Sequence, residues 1–296
     1  MNNKQGKRSH SESLQEYLRG ITGGLLFSLP LLYTMEVWWA GFISHPLRLL
    51  IYILATFTLL LGYNRYAGLR RSASPIEVAI DSVEEMGLGL VIAAVVLWLL
   101  GQIRSEMTIE EIAGKIILEA MTVAIGVSVG TAQLGGGEGQ QKEDKGMKGE
   151  DDCTSSTPVP LLTGNNSDFG GQLTLALCGA MLFAANVAPT EEIIMIAIES
   201  SPLRLLGLAV LSILLATMIL FYSDFSGSQQ ISQDRGMKTV VFGAVITYAI
   251  ALVASAAILW FFGRFDGTAT IICLAQTVVL GVAATLGASA GRLLLQ

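Results

Sequence analysis

GGLLFSLPLLYTMEVWWAGFISHPLRLL at residues 23–50 and GAMLFAANVAPTEEIIMIAIESSPLRLL at residues 179–206 lie over one another without a gap at an offset of 156, with eleven of 28 positions identical. Two apolar segments share leucines and alanines by composition alone. That does not account for Thr34 over Thr190, Glu36 over Glu192, or the Pro-Leu-Arg-Leu-Leu run common to residues 46–50 and 202–206. The correspondence continues downstream. Leu97-Trp98-x-x-Gly101 meets Leu259-Trp260-x-x-Gly263, and Gly126-Val-Ser-Val-Gly130 meets Gly287-Ala-Ser-Ala-Gly291. The spacing reads as a four-helix unit written twice.

Composition places that unit in a membrane. Of 296 residues, 52% are hydrophobic and 14% charged, with a mean hydropathy of +0.59, too apolar for a soluble globular chain. At about 20 apolar residues per crossing, eight spans are expected near 20–44, 46–63, 75–103, 109–134, 170–200, 202–222, 237–263 and 268–292. The polar, basic stretch 1–19 precedes an apolar run too long for a signal-peptide core. Thirteen of the 18 Lys and Arg fall in the ends and connections of one side. The positive-inside bias therefore puts both termini in the cytoplasm. An even number of spans per unit returns the chain to its starting side, so the two units (20–134 and 170–296) are parallel repeats. The glycine-rich polar segment 135–169 between them is expected to be a disordered cytoplasmic tether.

Several function classes drop out. A net charge of −6 with no basic, aromatic-laced patch argues against nucleic acid. Cys153, Cys178 and Cys273 have no C-x-x-C spacing and there are two histidines, so no zinc or iron–sulfur centre and no other cofactor is expected. No intramembrane-enzyme motif is convincing. The chain is read as a non-enzyme whose partners are the lipid bilayer and an inorganic cation. The Gly126/Gly130 and Gly287/Gly291 pairs allow close helix contact between halves or between subunits, which leaves a homo-oligomer open. Trp38, Trp39, Trp98 and Trp260 read as interfacial belt residues.

Glu36 and Glu192 each precede their Pro-Leu-Arg-Leu-Leu turn by ten residues, about 15 Å of straight helix and half of a roughly 30 Å hydrocarbon core. Both carboxylates are thus expected near mid-membrane, set near one another by the pseudo-symmetry. Two close carboxylates need a shared proton, an arginine or a cation. Pro189 after Asn186, with Thr190 as N-cap, should interrupt the fifth span, whose 31 residues would otherwise run about 46 Å; Pro30 before Thr34 should kink or break the first. Such breaks are tolerated where they line a cavity, and their freed carbonyls suit cations. Arg48 and Arg204 are the competing charge partners, and two Glu–Arg pairs would need no ion.

Ser74-Pro-Ile-Glu77 is a capping box that opens the third span. Glu77, Asp81, Glu84 and Glu85 then follow at i, i+4, i+7 and i+8, a negative ladder along one helix face or an ordinary acidic helix start. Glu119 falls about 12–16 Å inside the fourth span. The second half has no acids at these positions: Thr239, Gly243, Ile246, Thr247 and Leu280 stand there.

The Thr-Met-Glu-Val-Trp-Trp run at residues 34–39, with the eight-span layout and hydrophilic middle, resembles a family of uncharacterised bacterial integral membrane proteins. The resemblance implies a bacterial inner-membrane location and supplies no activity. From the residues, the expected function is cation transport, by channel or proton-coupled exchanger. Its central site is Glu36 and Glu192 with Thr34, Thr190 and Asn186, extended inward by Glu119, Glu84 and Glu85. Calcium is the first choice of ion on ligand chemistry, with sodium, potassium or protons fitting nearly as well. The competing class is a non-transporting sensor or assembly module with internally paired charges, which predicts no flux from purified protein.

Overall fold

The structure, a computed structural model, describes residues 10–43, 45–68, 74–133, 166–227 and 237–293. Within them lie ten helices and no strand: α1 (His10–Leu32), α2 (Met35–Ile43), α3 (Pro46–Ala67), α4 (Pro75–Leu99), α5 (Ile109–Gln133), α6 (Asn166–Val187), α7 (Glu191–Glu199), α8 (Pro202–Gly227), α9 (Met237–Phe261) and α10 (Thr270–Leu293). Seven are long and apolar enough to cross a bilayer, and the α1–α2 pair taken as one bent span makes eight. The chain is thus all-helical and polytopic, as expected. Large apolar side chains face outward along the long helices, Leu54, Val91, Leu214, Val253 and Leu274 among them. That inverts the soluble pattern and fits a hydrocarbon solvent.

Two boundaries differ from expectation. α1 already runs from His10, so half of the basic stretch 1–19 is helical. The tether expected at 135–169 lies outside the described residues except for 166–169, which form the first turn of α6.

Both expected breaks are present. α1 stops at Leu32 and α2 departs at 88° to it; α6 stops at Val187 and α7 restarts at Glu191. Pro30 has no N–H to continue the ladder of α1. Thr190 occupies the N-cap position with extended backbone, yet its hydroxyl makes no cap bond and donates back to Val187 O at 2.9 Å. Thr34 does likewise, donating to Pro30 O at 2.6 Å. After each short helix the chain re-enters a long one at a first-position proline, Pro46 and Pro202, whose fixed φ suits that place.

The Leu-Trp-x-x-Gly motif is a helix stop. Gly101 and Gly263 both have φ of 70°. Gly101 N donates to Trp98 O and Gln102 N to Leu97 O, while Gly263 N donates to Trp260 O and Arg264 N to Leu259 O. This is the Schellman pair of bonds, which needs a left-handed residue. Gly101→Ala is expected to cost about 1 kcal/mol through that φ, read as a lowered thermal midpoint in detergent; an unchanged midpoint counts against this account.

Each half is held by glycine contacts between its first and last long helices. A Cβ on Gly23 would lie 2.5 Å from Gly126 O and Gly130 Cα, and one on Gly179 would collide with Gly287 O. The Gly-x-x-x-Gly patterns therefore join helices within a half. Between halves, α3 packs on α6: Gly62 faces Thr174, and Cys178 Sγ donates to Leu59 O at 3.5 Å. Tyr52 stacks on Phe261 with ring centroids 3.9 Å apart. α5 is the interior helix, buried over most of its length, whereas α8 is largely exposed.

Candidate functional site

Glu36 and Glu192 sit in the first turns of α2 and α7, Glu36 half-buried and Glu192 exposed. Neither makes a hydrogen bond or ion pair among the described residues. α2 rests on α5 and α7 on α10, each within its own half. Among the described residues no hydrogen bond or ion pair joins the two carboxylates. For Glu36 the reckoning of depth took residues 36–46 as continuing the line of the first span, but the 88° turn lays α2 across α1. What the acids do gain is a helix N-terminus, where negative charge is favoured.

The arginines also depart from expectation. Arg48 Nη2 reaches Asp266 at 2.8–2.9 Å, in the connection before α10, and its guanidinium lies 5.5 Å from the Trp260 ring centroid. It ties the first half to the second and leaves Glu36 alone. Arg204 is exposed, and its side chain has no partner among the described residues.

Asn186 is a bridge. Its Oδ1 accepts from Leu31 N at 3.1 Å, and its Nδ2 donates to Phe27 O at 3.1 Å and Leu182 O at 2.7 Å. Those bonds use the amide on the backbone of both halves and turn it away from any ligand role shared with Glu36. Thr34 and Thr190 are likewise committed as donors to carbonyls.

The ladder on α4 splits in two. Glu77 closes the capping box, Asp81 is half-buried and Glu84 is exposed. Glu85 turns inward to a network that sequence reading missed. Asn64 Nδ2 donates to Glu85 Oε2 at 2.6 Å and to Ser82 Oγ at 3.1 Å, and Ser128 Oγ donates to Asn64 Oδ1 at 3.0 Å. Asn64 lies next to Arg65 and so reads as part of a solvated helix end, though it is only 7% exposed. Asn64→Leu leaves Glu85 without this donor and is expected to cost about 1–3 kcal/mol. Thermal unfolding of the purified protein checks it, and Glu85→Gln in the same background should recover part of the loss. In the second half a cation occupies the matching level: Arg292 donates to Thr247 Oγ1 at 2.6 Å, Gly243 O at 2.9 Å and Gln172 Oε1 at 3.0 Å.

Among the described residues Glu119 is the most enclosed acid: it is 0% exposed, and neither carboxylate oxygen has a hydrogen-bond partner there. Lys115, one turn away, directs its Nζ to Gln102 O at 2.9 Å, and the Tyr52 hydroxyl donates to Leu118 O at 3.2 Å. Gly24 packs against Val123, and Gly41 against Gly114 and Lys115. Glu119 shares a helical face with Lys115 and Val123, so it stands between those levels, beside the α1–α2 break. A cavity of about one water's size lies between α3, α4 and α5, lined by Tyr52, Thr56, Met86 and Ala120. Its lining includes the chain neighbours of both Glu85 and Glu119. Among the described residues, no three of His, Cys, Asp and Glu gather closely enough to hold a metal ion.

Residues 16–295 match the family model described as "Putative integral membrane protein (DUF2391)". The chain belongs to that family. Comparison with curated proteins and with solved structures finds no match.

Proposed function

Taking that membership as the premise, we propose that this integral membrane protein is a proton-coupled cation transport protein of the bacterial inner membrane, with both termini cytoplasmic and Glu119 as its central acidic group. The observation that carries the reading is a carboxyl with 0% exposure and two unpartnered oxygens, near the middle of the most buried span. An ionised carboxylate in such a place costs several kcal/mol unless paired. Intramembrane acids that persist mark proton relays or ion routes, and discontinuous helices beside them are a recurrent feature of transporter sites.

Ligand chemistry favours a proton or monovalent ion over calcium. Calcium takes six to eight oxygens, and the acids of this chain are dispersed: Glu36 and Glu192 at separate helix starts, Glu84 outward, Glu85 in its amide network. The Glu85 network, the small cavity and Glu119 form the proposed route through the first half.

Purified protein in liposomes with an interior pH dye tests this. Wild type is expected to dissipate an imposed proton gradient in the presence of a permeant cation, and Glu119→Gln to fall to the rate of empty liposomes. Equal rates for both proteins reject the assignment.

A further inference from the structure

Leu31 N and Phe27 O stand one i to i−4 step apart on α1, and the Asn186 amide bonds both of them. Oδ1 takes the proton of Leu31 N and Nδ2 supplies one to Phe27 O, both at 3.1 Å. A side chain inserted into a helical ladder opens and bends the helix there. Pro30 adds a second altered rung, because Leu26 O has no N–H to receive. The chain then turns 88° into α2. A third bond, from Nδ2 to Leu182 O at 2.7 Å, anchors the amide to its own helix. At the offset of 156, Asn186 is the counterpart of Pro30. The second half thus places an amide at the position where the first half places its helix breaker.

This insertion has a self-contained alternative. Once the amide is withdrawn, Leu31 N bonds Phe27 O directly, so neither backbone group is orphaned in a medium without water. An element with two satisfied arrangements is what conformational coupling requires.

We propose that Asn186 is a latch between the halves: inserted, it holds the α1–α2 bend beside Glu119, and separation of the halves withdraws it and lets α1 and α2 straighten. The consequence for Glu119 rests on the transport reading; the latch itself does not. Arg48 with Asp266 is a second tie between the halves, so weakening it loads the latch without touching Asn186.

The test is the distance between nitroxide-bearing amino acids at positions 18 and 39, both outward-facing, in full-length protein in nanodiscs. At a right-angle bend the backbone separation is about 24 Å, and about 31 Å if straight. Wild type should give the shorter distance. Asn186→Ala should move the population toward the longer one, as should Asn186→Leu, which keeps most of the bulk and loses both the donor to Phe27 O and the acceptor for Leu31 N. Should the alanine variant fail to insert, the leucine variant decides. Asp266→Asn should raise the longer fraction by up to about fivefold. An unchanged distance in the Asn186 variants overturns the proposal. A response to those variants with none to Asp266→Asn also overturns it, since Asn186 would then be a fixed local staple. A latch response without proton flux from wild type leaves this inference standing and removes only the transport reading.

Discussion

Gly179→Leu is expected to yield almost no folded protein. A Cβ at this position falls on Gly287 O and C and close to Gly291 Cα, all main-chain atoms of α10. Overpacking costs about 1–3 kcal/mol where side chains can shift, but a helix backbone has no rotamer to change. α6 and α10 would have to separate along their length, giving up the dispersion contacts that drive helix association in lipid. With total stabilities of about 5–15 kcal/mol, a loss of several is not survivable. Fluorescence-detected size exclusion should show the monodisperse yield reduced about tenfold or more. Gly207→Leu is the matched control: nothing lies within 4 Å of a Cβ there, and leucine is the better helix former. Equal yields from the two variants would show that the glycine contact is not what joins these helices.

Glu119→Leu should make the protein more stable while removing the proposed proton flux. Both carboxylate oxygens are buried without partners, and the chain neighbours Leu118, Ala120 and Met121 are apolar and buried. Leucine removes the desolvated oxygens and keeps most of the volume, and the second half carries leucine at the corresponding Leu280. Relieving an unsatisfied buried polar group is worth about 1–3 kcal/mol, seen as a rise of a few degrees in the thermal midpoint. Proton flux from the same preparation should drop to the liposome background. Stability given up at a site that serves function is a common trade. A lowered midpoint would contradict this picture, because it would mean that the carboxyl is bonded and structural.

Much of the architecture was legible because lipid makes simple demands. Apolar runs of span length, prolines at helix starts and Leu-Trp-x-x-Gly stops each have a local cause, and the helices form where those signals stand. The breaks at Thr34 and Thr190 were readable from Pro30 and Pro189. Depth was not readable: the position of Glu36 depended on the direction taken after the break, and an 88° turn defeats counting along an axis. Partnership across the halves was equally hidden. Nothing near Arg48 in sequence points to Asp266, 218 residues away, and Asn186 looked like a ligand because the backbone it serves is 155 residues upstream. Glu119 was visible as an acid at span depth. Its isolation became apparent only when the Lys115 ammonium and the Tyr52 hydroxyl near it were found bonded to other atoms.

The glycine seam between α1 and α5 also constrains biogenesis. Gly23 meets Gly126, a partner synthesised about 100 residues later, or some 5–20 s at ordinary translation speeds. Throughout that interval α1 lacks the helix face that its glycine seam packs against. Its Pro30 corner waits longer still, until the ribosome delivers Asn186. The nascent chain therefore carries an unfinished corner until its second half has been made.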